Sequence, residues 1–337
     1  MLLIDSVFVN NGGGLVLLKY MVDFFEKSSL DVFYLFDYRT ESTFNYIDVN
    51  RRVFISNSII HRHKFYIENK DKFSNVICFG NLPPTIRLNS RVLVYFHQKL
   101  FLEIPREIPS LNKLNLFIKQ NILNFVKNNA DFWLVQTEDV KRNFSNKYLN
   151  NKFEKIIKLP FYPEINFSEV KVERNNKGFI YVSNSSPHKN HKKLIEAFCL
   201  AYDDVREGHL TLTVPESDVE ICSLVTEKHT LGYPIYNVGF LSREKLARLY
   251  LSHGYLIFPS LSESFGLGLV EAIDGGCKII AADLPYTYEV CKPSLIFDPN
   301  SVESIKLSII KALEEELPSS LKLIDNDISK LINILME

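Results

Sequence analysis

The chain has no uncharged apolar stretch of about 18 residues, so no segment reads as a membrane-spanning helix. Its start, Met1-Leu-Leu-Ile-Asp5, has no basic residues ahead of an apolar run, and Asp5 interrupts that run early. This reads as a first core strand and not as a secretion signal. The 5 cysteines are odd in number and include no Cys-x-x-Cys pair. They argue against a disulfide framework or a zinc ribbon and fit a reducing compartment. His61/His63 and His188/His191 lack companion carboxylates close by, so no metal is expected. Internal repeats, low-complexity segments and the Gly-x-Gly-x-x-Gly dinucleotide fingerprint are also missing. A cytoplasmic protein without a nucleic-acid partner is expected, with membrane contact at most peripheral.

What is there suggests two domains. At 337 residues the chain exceeds a usual single core. Its net charge of −1 hides an asymmetry: residues 1–165 carry 22 Lys+Arg against 16 Asp+Glu, and residues 166–337 carry 17 against 24. Residues 51–130 hold 13 basic and 4 acidic side chains, with Arg51, Arg52, Arg62 and Lys64 among the basic ones. A solvated face and a contact with an anionic membrane or lipid-linked phosphate both fit this. The helical stretch Leu111–Lys127 has three lysines, no acid and a broad apolar face. It suits either a membrane-surface helix or, more commonly, a helix packed on a sheet.

Apolar strand-like runs alternate with helical patterns throughout, the reading for parallel α/β sheets. Leu2–Val9, Val32–Phe36, Val76–Phe79, Val92–Phe96 and Phe132–Val135 are strand candidates in the first half. Phe179–Val182, Leu210–Val214, Ile235–Val238, Tyr255–Phe258 and Lys278–Ala281 are those of the second. The expected organisation is an N-terminal Rossmann-like domain over 1–165, a linker over 166–177, a second Rossmann-like domain over 178–320 and a C-terminal helix over 321–337. That helix is expected to pack back across the domains. Asp325-Asn326-Asp327 looks like an Asp-x-Asp metal motif, but at a helix start aspartate is favoured simply as a cap.

The most informative stretch is Ser260-Leu-Ser-Glu-Ser-Phe-Gly-Leu-Gly-Leu-Val-Glu271. It reads as a strand end, a loop and a helix start, with carboxylates at Glu263 and Glu271. A helix N-terminus offers unpaired N–H groups and a positive dipole end to an anion. Gly266 and Gly268 allow a phosphate to approach closely. Glu263 lies where a hydroxylated group beyond the phosphate would be, and Glu271 where the paired hydroxyls of a ribose would be. A diphosphate with a sugar at one end and a nucleoside at the other fits that order.

This stretch resembles the Glu-x7-Glu signature of the GT4 family of retaining glycosyltransferases, which have the GT-B fold. Tyr181-Val-Ser-Asn-Ser-Ser-Pro-His-Lys-Asn190, Asn237-Val-Gly-Phe-Leu-Ser-Arg-Glu-Lys-Leu246, Lys278–Asp283 and Leu295–Pro299 continue the likeness, which spans about residues 178–315. The N-terminal half matches only loosely. The resemblance implies two doubly wound domains facing a central cleft, and a bacterial surface-polysaccharide enzyme. It implies donor contacts from Gly13, Gly14, Asn184, Lys189, Val238, Gly239, Glu263, Ser264, Phe265, Gly266, Leu267, Gly268 and Glu271.

His97 stands at the end of the strand Val92–Phe96, near where the family has a histidine beside the donor sugar. It is a candidate to hydrogen-bond that sugar, the alternative being a core histidine. Lys189 is the candidate to neutralise the departing diphosphate. The family commonly has an arginine five positions earlier, where this chain has Asn184, so the usual two-cation clamp is incomplete. Asn10-Asn11-Gly12-Gly13-Gly14 is either a site wall or a plain turn.

The expected activity is metal-independent, retaining transfer of a hexosyl group from a nucleotide diphosphate sugar, GDP-mannose-like ahead of a UDP-sugar. The expected acceptor is a surface glycan such as O-antigen, on a lipid diphosphate carrier at the inner membrane. A phosphorylase of the same fold and a non-catalytic sugar-nucleotide-binding subunit are the rival readings.

Overall fold

A computed structural model describes residues 1–106, 108–168 and 171–336 and divides into two compact units. The first unit comprises Met1–Ile104, Pro109–Pro163 and Asp325–Glu337, and the second Pro105–Ile108 and Glu164–Ile324.

The strands of the first unit are β1 (Leu2–Asp5), β2 (Val32–Asp37), β3 (Arg52–Ile55), β4 (Asn75–Cys78), β5 (Arg91–Phe96), β6 (Phe132–Val135) and β7 (Ile156–Lys158). They form one parallel sheet in the order β3-β2-β1-β4-β5-β6-β7. Strands covered on both faces need continuous apolar runs, and the Val32–Phe36 run of β2 is buried throughout. The edge strand β3 is half-solvated and lacks such a run, which is why the sequence reading missed it. Because β1 lies between β2 and β4, the chain reverses direction across the sheet there. The loops after β1 and β4 therefore open at one switch point, where ligands of such sheets bind. Behind it, buried Trp133 packs on Phe144 with ring centroids 4.4 Å apart, and Phe144 on Phe96 at 4.6 Å.

Arg62 corrects the reading of the basic stretch. It is 3% exposed, on the inner side of the helix Ile59–Glu68. Its Nε lies 2.6 Å from Asp5 Oδ2, and its other nitrogens donate to the carbonyls of Pro83 and Leu82, each at 2.8 Å. Tyr66 OH also donates to Asp5. Arg51 pairs with Glu26 at 2.6 Å but stays partly exposed. Arg62 thus neutralises a buried carboxylate and is not part of a surface patch.

The expected glycine turn also differs. The first helix runs Gly12–Glu26, so Gly13 and Gly14 form its opening turn, and the Leu15 N–H donates to the Asn11 carbonyl at 3.2 Å.

The C-terminal segment joins the first unit. Its helix begins only at Lys330, because the residues before it serve as a tether. Asn326 Nδ2 donates to the Tyr162 carbonyl and to Tyr20 OH, both at 2.9 Å, and the Asp327 N–H to the Pro160 carbonyl at 2.8 Å. Asp327 also pairs with Lys330 at 2.8 Å, a helix-start role.

The second unit contains β8 (Asn175–Tyr181), β9 (His209–Leu212), β10 (Ile235–Asn237), β11 (His253–Phe258), β12 (Lys278–Ala282) and β14 (Leu295–Phe297). They form a parallel sheet in the order β10-β9-β8-β11-β12-β14. A short antiparallel pair, β13 (Cys291–Lys292) with β15 (Leu321–Lys322), lies apart from it. β15 occupies the start of the expected C-terminal helix, and β8 takes up the last residues of the expected linker. Here the switch point falls between β8 and β11. Each unit is a doubly wound α/β layer structure, as the GT-B resemblance implies.

Candidate active site

The loops after β8 and β11 are tied to one another at the second unit's switch point. The Leu261 N–H donates to the His188 carbonyl at 2.7 Å. Buried Asn190, in the left-handed conformation at φ 64°, donates through Nδ2 to the carbonyls of Pro259 at 3.2 Å and Pro299 at 2.8 Å. Lys189 Nζ then lies 2.5 Å from Glu263 Oε1, which also accepts from Ser260 Oγ at 2.6 Å. Tyr181 OH holds the Lys189 carbonyl at 3.0 Å, and Tyr286 OH holds that of Ser260 at 2.7 Å. Lysine and glutamate are thus fixed by their backbones as well as by each other.

Gly266 precedes the helix Leu267–Asp274 at φ 83°, a conformation that favours glycine. The helix therefore starts directly beyond the ion pair. First-turn amides of any helix lack an intrahelical acceptor, so those of Leu267 and Gly268 are suited to an anion. Among the described residues, six buried polar side-chain atoms have no partner, and four of them are His188 Nδ1, both ring nitrogens of His191 and Ser262 Oγ. Such groups call for an occupant or water, and their concentration around these loops marks a polar site.

Glu271 is 5% exposed. Arg243 Nη1 reaches one oxygen at 2.8 Å and Tyr250 OH the other at 3.0 Å. Burial raises its carboxyl pKa, and Arg243 and Tyr250 oppose that. Arg243 lies within the segment resembling the family, but no sequence signal singled it out, and none pointed to Tyr250 or Ser260. Val238 is exposed, its N–H on the Leu212 carbonyl at 2.9 Å, and Gly239 follows at φ 70°. Asn184 is exposed and shapes its own turn, its Oδ1 accepting from the Ser186 N–H at 3.1 Å. In that position it supplies no second cation. Ser264 and buried Phe265 complete the loop.

In the first unit, His97 follows β5 with its N–H on Asn81 Oδ1 at 2.7 Å. Its Nε2 meets the Phe79 carbonyl at 2.9 Å, and its ring stacks on that of Phe79 at 5.0 Å. A Cβ on Gly14 would lie 3.1 Å from His97 Cε1, whereas one on Gly13 would meet nothing within 4 Å. The structure thus brings Gly14 against His97 and Lys189 against Glu263, each pair within its own unit.

Burial lowers the pKa of His97, His188 and His253 to about 4 and that of His191 to about 3. The unfolded chain takes up these protons below pH about 6.5, and the folded one only near 4 or lower. Stability is therefore full above about pH 6.5 and declines as pH falls toward 4, by on the order of 1–3 kcal/mol per histidine. Urea unfolding should show a falling midpoint between pH 7 and pH 5, before the carboxylates titrate. An unchanged midpoint would contradict the burial of these rings.

Residues 163–330 match the family model described as glycosyl transferases group 1. Over that half, the chain belongs to the group 1 glycosyl transferases. The O-antigen chain mannosyltransferase B of Escherichia coli is 28% identical over 142 residues, which make up 41% of this chain and 37% of that protein. The chain thus matches well under half of that relative's length. Among solved structures, a sucrose-phosphate synthase from Thermosynechococcus elongatus superposes with a TM-score of 0.71 at 15% identity, covering 93% of this chain and 90% of that one. The Anabaena protein HepE, solved with UDP and glucose, gives a TM-score of 0.67 at 14% identity, with 94% and 90% covered. At such identities the group 1 transferase and these structures share a fold. No helix among the described residues is long and apolar enough to cross a membrane.

Proposed function

We propose that this group 1 transferase moves a hexosyl group, with retention and without a metal, from a nucleoside diphosphate sugar to a hydroxyl of a bacterial surface glycan. The observation that carries this reading is the Lys189–Glu263 pair at 2.5 Å, at the switch point beside a helix start. An incoming diphosphate competes with Glu263 for the Lys189 ammonium. The released carboxylate then accepts a hydrogen bond from a sugar hydroxyl. The first-turn amides after Gly266 take the phosphate oxygens, and Glu271, steadied by Arg243 and Tyr250, faces the ribose. His97, kept neutral by burial, hydrogen-bonds the sugar.

In the transfer step the bond from the anomeric carbon to the diphosphate breaks, and the acceptor oxygen bonds that carbon on the same face. The acceptor's proton passes to the leaving diphosphate oxygen. The protein contributes positioning and fixed charge. The E. coli relative's name favours mannose, hence GDP-mannose ahead of a UDP-sugar, and O-antigen as the glycan. A lipid diphosphate carrier would place the work at the cytoplasmic face of the inner membrane.

Turnover of the matching donor should continue in saturating EDTA, because a lysine and a helix start stand in for a divalent cation. Loss of activity with EDTA and its return with manganese would overturn the metal-independent mechanism.

A further inference from the structure

We infer that the second unit holds a divalent transition-metal ion between His209 and His253, at the end of its sheet opposite the donor loops. His209 opens β9 and His253 opens β11, and β8 runs between those two strands. With about 4.8 Å between neighbouring strands, side chains on either side of a third strand ordinarily stand too far apart to touch. Here the residue of β8 in register with His209 is Gly178. A Cβ on Gly178 would lie 2.7 Å from His209 Cε1 and 2.9 Å from His253 Cδ2. Without one, both rings lean over the glycine and meet. The β8–β11 ladder also shifts register between His253 and Tyr255, the kind of irregularity that re-aims a side chain.

His209 Nε2 thereby comes 3.2 Å from His253 Nε2. Two nitrogens bound tetrahedrally to one zinc ion, each at about 2.0–2.1 Å, stand about 3.3 Å apart. The His253 ring is already set in the ligand tautomer. Its Nδ1 lies 2.9 Å from the Leu249 carbonyl, which only accepts, so Nδ1 carries the proton and Nε2 the lone pair. Histidine ligands of metals are commonly oriented in this way by a backbone carbonyl. Thr211 Oγ1, 3.0 Å from the same Nε2, places an oxygen beside the pair. Burial lowers the pKa of both rings, which keeps them in the neutral form that binds a metal. Arg174 is spent on backbone, donating to the carbonyls of His253 at 2.9 Å and Gly276 at 2.7 Å. His253 is buried and His209 only half-buried, so the ion and its water ligands reach the pair from the His209 side. Imidazole nitrogens favour zinc or copper(II) over magnesium or calcium. The ion ties β9 to β11 across β8 and takes no part in transfer, because Lys189 and Glu263 follow the other ends of β8 and β11.

The test adds zinc chloride to the full chain after EDTA treatment and dialysis, with thermal melting and calorimetric titration as readouts. One ion should bind per chain, and the melting temperature should rise with zinc concentration. His209→Gln should weaken zinc binding about tenfold or more, and its metal-free melting temperature reports whether the fold persists. His229→Gln, outside the pair, should bind zinc like the wild type. Copper(II) in place of zinc should show two coupled nitrogens by electron paramagnetic resonance in the wild type and one in His209→Gln. No stabilisation by either ion, fewer than two nitrogens in the wild type, or zinc binding that His209→Gln leaves intact would overturn the site. The rings would then be a hydrogen-bonded pair only. Sugar-nucleotide binding should be the same in His209→Gln and the wild type, with zinc or with EDTA, so the metal site and the transferase reading stand or fall separately.

Discussion

Lys189→Ala is expected to lower kcat/KM for glycosyl transfer by about 10²–10³-fold, the range seen when one preorganised group facing developing charge is removed. Two effects add. The leaving diphosphate loses its cation, and Glu263, now holding only Ser260, remains as a negative charge where the diphosphate must sit. For the same reason Lys189→Ala with Glu263→Gln should be less than additive, since each single change already breaks the pair. Lys189→Arg should keep part of the activity, because the charge survives while the point-like ammonium becomes a planar fork. The fold should persist, as Tyr181, Asn190 and Leu261 hold the loops through backbone groups. Steady-state kinetics together with thermal melts would separate lost chemistry from lost structure. A Lys189→Ala enzyme within threefold of the wild type would remove the lysine from the mechanism.

Arg62→Met is the second large effect, and it concerns stability. Removing one partner of a buried ion pair costs about 3–5 kcal/mol, because the other charge stays behind uncompensated. Here Asp5 would keep Tyr66 and the Val7 N–H at 3.1 Å, while the carbonyls of Leu82 and Pro83 would lose their donor. The strand β1 and the loop after it, which leads to Gly14 beside His97, rest on this network. Arg51→Met removes an arginine of the same basic stretch, but one on a partly exposed pair with Glu26. That change should cost about 0–1 kcal/mol. Urea denaturation of the two variants side by side decides the matter. A loss below about 1 kcal/mol for Arg62→Met would mean that Asp5 is not held as described.

The contrast between these two arginines shows what was legible in the sequence. Buried parallel strands such as β2, β5 and β11 announce themselves as apolar runs because both faces are covered. The half-solvated β3 and the two-residue β13 and β15 carry no such signal. Lys189 and Glu263 were legible because each sits in a local pattern of strand, turn and helix start. That they pair, 74 residues apart, was not. Arg62 and Asp5 are 57 residues apart, and nothing local distinguishes an arginine turned inward from one in water. The grip of Arg243 and Tyr250 on Glu271 was hidden for the same reason. Asn184 was legible as a missing cation, and the structure shows its side chain spent on its own turn, on the Ser186 N–H. The helix Ser110–Val126 was readable as apolar and basic, but only packing revealed which of its faces is left over.

The central claim is that the ion pair and helix start of the second unit bind the diphosphate of a sugar donor. Calorimetric titration of wild type and Lys189→Ala with a nucleoside diphosphate and with the bare nucleoside tests it most directly. The account predicts that the wild type binds the diphosphate far more tightly than the nucleoside, and that the variant loses most of this preference. Equal preference in both proteins, or none in the wild type, would contradict it.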